Sequence, residues 1–423
     1  MLRLDRICIY LLMFGIILLI PSYTMITFID ELISFSMLAI AFVDCIANGA
    51  WKKYKLLWIF MGIFTFYAIY SIYFLNYNTP RYIWTDWIIG LKPYIPFAVF
   101  LAIGPEFTEA DKRHLRYISI INCSITFLIL LGGYRTITPV FVNPTFAAQV
   151  AFISATFYIY CSSDKHSGTI PIRNKVIAII MLCVGLYSLK AKYFGEFIVS
   201  IFLLTLYKPG TFRYFSIKHA LILLVIGLAI LGASWSKIQY YFLTGNNGGS
   251  FDPTVVESFA RPVMYVTAGQ ILFDHFPFGT GSASFGTAAS SMNYSQVYFE
   301  YNIDNVHGIS WRSEESFICD AFYPSLAQYG VIGLILFIWF WFYAYNFLRI
   351  MIRTNPTLYR TQFITGAMII TFLLIESIAA TTLTHCSGTI IMCILGMSCA
   401  YGKQLFKKNA TVQNIQNLAI RKI

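Results

Sequence analysis

The chain has 423 residues, 58% of them apolar and only 12% charged, with a formal net charge of +11. A soluble core of this length needs a charged surface that this composition lacks, so a soluble enzyme is excluded. Apolar runs of about 20 residues exclude a transmembrane β-barrel, which shows short alternating segments. No basic nucleic-acid-binding module is present. The class is an all-α polytopic membrane protein.

Met1 to Arg6, followed by an apolar run to Ile20, has the pattern of a signal peptide. No small-residue cleavage site follows, so the run is read as an uncleaved first helix. Twelve transmembrane helices are predicted, at roughly 7–24, 27–47, 56–75, 86–103, 116–133, 146–162, 175–189, 193–207, 219–235, 323–348, 362–382 and 387–402. Only Lys190-Ala191-Lys192 separates the seventh from the eighth. The domains follow: 1–235 with nine spans, 236–322 as one large outer loop, 323–402 with three spans, and 403–423 as a basic tail. The outer loop opens with a glycine and asparagine turn from Gly245 to Gly249. A helix is expected from Thr254 to Phe273, kinked at Pro262, then a glycine-rich stretch from Gly279 to Gly286, then aromatics at Tyr294, Tyr298, Phe299, Tyr301 and Trp311. Long loops between packed helices usually carry function. The two halves show no repeat, which gives an inverted-repeat transporter no support.

With the N-terminus inside, 22 of the 30 Lys and Arg residues fall on inner loops or the tail. That bias places both termini inside. Eight cations remain on the outer side: Arg81, Lys92, Arg135, Lys190, Lys192, Lys237, Arg261 and Arg312. Five of them invite a functional reading. Lys190 and Lys192 sit at a tight helix-pair junction; they either hold an anion or snorkel to headgroups, with Lys192 paired to Glu196. Arg81 neighbours the aromatics of an interfacial belt. Lys92 lies inside a span between Pro93 and Pro96, where an ionisable residue is expensive and usually faces a cavity. Arg261 suits bidentate phosphate contact, or an ordinary helix pair with Glu257.

Acids gather where the outer loop re-enters the membrane. Glu315 and Asp320 are candidate general bases, since partial desolvation raises a carboxylate into a useful range. Helix capping is the competing reading of Asp320. The glycine-rich stretch lacks a Walker Lys and speaks more for a tight turn than for phosphate binding. The aromatics after it stack on sugar rings or form the core of the outer unit. The nine Cys show no metal spacing and read mostly as core residues; Cys319 and Cys386, both near the outer face, leave a disulfide open. His275, His307 and His385 read as isolated polar residues.

At Ser188-Leu-Lys-Ala-Lys-Tyr-Phe-Gly-Glu196, at the Arg261-led helix running into the glycine stretch, and at Phe317 to Phe337 with its Gly330-Val-Ile-Gly333, the chain resembles the O-antigen ligase/polymerase superfamily. Within it, the chain looks most like Wzy-type O-antigen and capsular polysaccharide polymerases. The resemblance covers about 188–340; the first 180 residues match in hydropathy alone. It implies a C-type lipid-linked glycosyltransferase architecture in the bacterial inner membrane, with the active site facing the periplasm. The implied substrates are undecaprenyl-diphosphate-linked glycans; no cofactor or metal is implied, and a chain-length regulator protein is an implied partner. Lys190, Lys192 and Arg261, with Arg81 and Lys92, would hold the diphosphate, and Asp320 or Glu315 would be the base. Ligases of the superfamily carry a His eleven residues before the first Gly of GxxG; here Cys319 occupies that position, which favours polymerase over ligase. A flippase or transporter is the non-enzyme alternative.

Overall fold

The computed structural model describes residues 3–164, 168–207 and 259–420, with scattered positions between 221 and 244. The expected span 219–235, the turn at Gly245, Glu257 and the start of the outer helix fall largely or wholly outside these residues. Among the described residues every regular element is helical. Four helices are long and apolar enough to cross a membrane, and up to six if two bent pairs each count as one. Among the described residues the other expected stretches are helical, but several are shorter than a full span or broken.

The elements that place the site are α1 (Leu4–Ile17), α2 (Ile29–Asn48), α3 (Lys55–Tyr70), α4 (Pro80–Leu91) and α5 (Tyr94–Ile103). They are followed by α6 (Glu109–Leu131), α7 (Tyr134–Phe141), α8 (Pro144–Cys161), α9 (Ile172–Leu186) and α10 (Ala191–Ile201). In the second half come α11 (Ala260–Asp274), α12 (Gly330–Thr354), α13 (Arg360–Glu376) and α14 (Cys386–Ile420).

Prolines explain the breaks. The expected span 86–103 is two helices, α4 and α5, bent by 41°. Pro96 has no N–H for the carbonyl of Lys92, four residues earlier. The Ser34 hydroxyl of α2 donates to that carbonyl instead, at 2.9 Å. Helices α7 and α8 bend by 73° at Asn143-Pro144, where the Asn143 side chain accepts from the Thr145 N–H. Pro262 does not kink α11; it lies in the first turn, where a missing N–H costs nothing. Helix α14 continues beyond the expected end of the last span, through the basic stretch to Ile420.

Helix α14 is the spine of the bundle, with Met392, Cys393, Ile394 and Leu395 fully buried. Small residues let its neighbours approach. A Cβ on Gly396 would lie 2.5 Å from the Phe97 carbonyl of α5, and one on Gly402 would lie 2.3 Å from that of Phe347 on α12. The exterior is apolar as well: Ile46, Ile172, Leu128 and Phe342 are all well exposed. A surface of that kind is consistent with a lipid surround.

Charges mark the two ends. At the end holding the start of α1 and α6, Arg6 binds Asp111 bidentately at 2.6 and 2.9 Å, and Asp111 also completes the α6 capping box with Thr108. Lys53 pairs with Asp44 at 2.9 Å there. The opposite end holds the starts of α2, α10 and α14 and the end of α13. Over it lies an outer unit whose core joins Val263, Met264 and Ile271 of α11 to Phe285, Tyr298 and Ile309.

Candidate functional site

A cavity of about 350 Å³ opens at this second end. Its walls are aromatic and aliphatic, from Phe60, Phe64, Leu336, Phe337 and Phe340. Polar groups enter from four directions: Tyr23 after α1, Asp30 and Glu31 at the start of α2, Lys92 at the bend, and Thr384 and His385 before α14. Cys319 and Gln328 line it from the outer unit.

The bend at Lys92 aims its side chain at α2. The ammonium lies 2.6 Å from Asp30 and 2.6 Å from Glu31, with Lys92 and Asp30 both buried. One cation faces two carboxylates. Asp30 Oδ1 and Glu31 Oε2 are left without a hydrogen-bond partner in the cavity wall. Lys92 thus faces a cavity, as expected, but arrives already matched by acids.

The same holds for two other singled-out cations. Lys192 pairs with Glu376 at 3.0 Å and donates to the Ala379 carbonyl at 3.1 Å. It does not pair with Glu196, the partner expected from spacing. Glu376 also accepts from Gln149 Nε2 at 2.6 Å and from the Thr382 hydroxyl. Gln149 Oε1 accepts from Ser387 at 3.0 Å and from Tyr23 at 3.3 Å, so this network ends on the cavity wall. Arg261 of α11 pairs with Asp320, the residue after Cys319 of the cavity wall. Asp320 caps nothing: the helical turn after it starts at Phe322, with Ala321 as its cap residue and no side-chain cap bond.

These pairs share a neighbour. Phe322 and Tyr323 donate backbone N–H bonds to the Ser377 carbonyl, and the Tyr265 hydroxyl of α11 donates to that of Ile378. The segment from Glu376 to Ala379 therefore touches Lys192 on one side and, on the other, α11 and the turn after Asp320. Of the seven residues singled out, Lys92 alone is in the cavity lining; Arg81, Lys190, Lys192, Arg261, Glu315 and Asp320 are not. Arg81 is exposed, its guanidinium 5.9 Å from the Tyr82 ring. Lys190 precedes α10, and its backbone N–H donates to Ser188 Oγ at 3.4 Å. Glu315 is exposed on the outer unit.

The glycine-rich stretch is no phosphate cradle, because its amides are already used. Gly281 donates to the Gln328 carbonyl at 2.7 Å, Ser282 to Ser71 Oγ at 2.7 Å, Ala283 to Asp86 at 2.9 Å and Gly286 to the Tyr298 hydroxyl at 3.0 Å. Buried Asp86 also accepts from Gln328 at 3.1 Å and from the Tyr329 hydroxyl at 3.4 Å. Its role is to fasten the outer unit to α4. Tyr298 is fully buried, which makes it core; Phe299 and Trp311 stay exposed.

Cys319 and Cys386 line the same cavity as free thiols, so no disulfide joins them. Burial, then the Asp320 charge, pushes the Cys319 thiol up, so it stays protonated and is no nucleophile. His385 lines the cavity and is exposed there. Desolvation, reinforced by Lys92 and opposed by Glu31, pushes it down to about 4, so it is a neutral imidazole at pH 7. Among the described residues no group of three or more His, Cys, Asp or Glu is placed to hold a metal ion. Sequence reasoning passed over Asp30, Glu31, Gln149, Glu376 and His385. The acids at 30, 31 and 376 lie inside predicted spans, so the rule that flagged Lys92 applies to them equally.

No family model matches the chain, and no curated protein is significantly similar to it.

Proposed function

We propose that this chain is a lipid-linked glycosyltransferase that joins undecaprenyl-diphosphate-bound oligosaccharide repeats into surface polysaccharide, O-antigen or capsule, at the outer face of the inner membrane. The observation that carries the reading is the Arg261–Asp320 pair, whose Asp320 directly follows Cys319 in the wall of an apolar-walled cavity. A base next to a cation is what transfer from a diphosphate asks for. Asp320 takes the proton of the attacking sugar hydroxyl as the oxygen bonds to the anomeric carbon. The bond from that carbon to the diphosphate oxygen breaks, and its electron pair leaves on the diphosphate. Arg261, released as Asp320 is neutralised, turns to the departing anion, and Lys192 approaches it along the segment from Glu376 to Ala379. Cations in a dry cleft stabilise such developing charge, and removing one costs on the order of 10²–10³ in rate.

The test is a gel of surface polysaccharide from cells whose only copy of the gene is altered. Arg261→Ala and Asp320→Asn should each collapse the ladder towards a single repeat. Long chains from both variants would sink the reading. Polymer retained on its lipid carrier would point to a ligase instead.

A transporter is the second reading, favoured by the carboxylates gathered around Lys92 and Lys192 inside the bundle. It predicts lipid-linked repeats trapped at the inner face of the deletion strain, a state the polymerase reading does not produce.

A further inference from the structure

A second cavity, of about 580 Å³, opens at the opposite end of the bundle, between α3, α5, α12 and α14. We infer that it is a binding site for an anionic phospholipid of the inner leaflet, headgroup on Lys52 and Lys55 and acyl chain against α3 and α12. The inference rests on the membrane reading of the fold and is independent of the proposed reaction.

Polarity changes along the cavity in step with depth. On α3 the lining passes from Lys55 to Leu56 and Ile59 one turn further in. On α14 it passes from Lys403 to Ala400, again one turn further in. Tyr343 and Trp339 continue the apolar wall on α12, their rings 5.2 Å apart. A cationic rim over an apolar interior matches an amphiphile; a free phosphate or an acidic peptide leaves the interior unfilled. Trp339 lines the outer cavity too, so this wall reaches towards the middle of the bundle.

Two further observations set the level and the charge. The Trp58 indole donates to the Trp51 carbonyl at 3.2 Å and the two rings lie tilted 5.5 Å apart, beside the lysines. Paired tryptophans of this kind mark headgroup depth. Lys53 is neutralised by Asp44, which also accepts from Tyr54 at 2.7 Å. Lys52 and Lys55 are exposed and have no ion pair among the described residues. The positive-inside bias accounts for lysines at this face. It does not account for a cavity between them with an apolar wall.

The test uses the purified full-length chain in detergent, with phosphatidylglycerol, phosphatidylcholine or inorganic phosphate added, and reads bound lipid by native mass spectrometry together with melting temperature. Phosphatidylglycerol should bind and raise the melting temperature well above the effect of phosphatidylcholine, and inorganic phosphate should do neither. The double variant Lys52→Gln/Lys55→Gln should weaken phosphatidylglycerol binding roughly twentyfold, since each basic residue near a headgroup contributes about fivefold. Arg349→Gln/Arg353→Gln, at the same end but outside the cavity lining, should bind as the parent does. Equal retention of the two lipids, or full phosphatidylglycerol binding by the lysine variant, overturns the inference. A phosphate effect as large as the lipid's overturns it in favour of a soluble anion.

Discussion

Lys92 is held between Asp30 and Glu31, and its value to the fold lies in what its loss would leave behind. Lys92→Met strands the buried Asp30 carboxylate beside half-buried Glu31, which should cost about 3–5 kcal/mol and show as a large fall in melting temperature in detergent. His385 predicts a pH effect. Its folded value near 4 lies below the ordinary 6.5, so from pH 6.5 down towards 4 the unfolded chain takes up a proton that the folded one refuses. Stability should fall across that window and be flat above it as far as this group is concerned; His385→Gln should remove its share of the slope. These residues show what the sequence could tell. Counting cations by side isolates Lys92, Lys192 and Arg261, but their partners at positions 30, 376 and 320 lie far away in the chain. No local spacing links them, and the nearby candidates, such as Glu196 four residues from Lys192, are not the partners the fold selects.

At the scale of elements, hydropathy reads the helices well and their lengths less well. The stretch 86–103 has the composition of one span, yet Pro93 and Pro96 divide it and Ser34 stabilises the break. Nothing in α14 after Gly402 stops a helix, so it continues past the expected boundary. The contact between the glycine stretch and the start of α12 was not legible, because it is made by backbone. Gly279 has φ +73°, and a Cβ there would lie 2.4 Å from both the Ala327 carbonyl and the Gly330 nitrogen. Gly279→Ala should therefore lose at least ~1 kcal/mol from backbone conformation alone. The clash adds to that and should appear as faster proteolysis of the outer unit. Asp86→Ala should loosen the same joint, with ~1–3 kcal/mol for each buried donor left unmatched.

For the whole molecule, the sorting of charge by side becomes a pair of ionic ends. Arg6, Lys53 and Asp111 belong to one; Lys92, Lys192 and Arg261 belong to the other. A reporter enzyme fused after Gly249 should be active only on the outer side, and one fused at the N-terminus only inside. A cytoplasmic signal from the first fusion would undo the orientation on which the proposed reaction depends.

Helix α14 begins at Cys386 in the wall of the outer cavity and reaches Lys403 in the rim of the inner one seventeen residues later. At the helical rise this is a rod of about 25 Å. An α-helix resists compression along its axis, and Gly396 and Gly402 seat this one directly against the backbones of α5 and α12. One rigid element thus joins the two cavities, and a displacement of its Lys403 end along the axis is also a displacement of its Cys386 end.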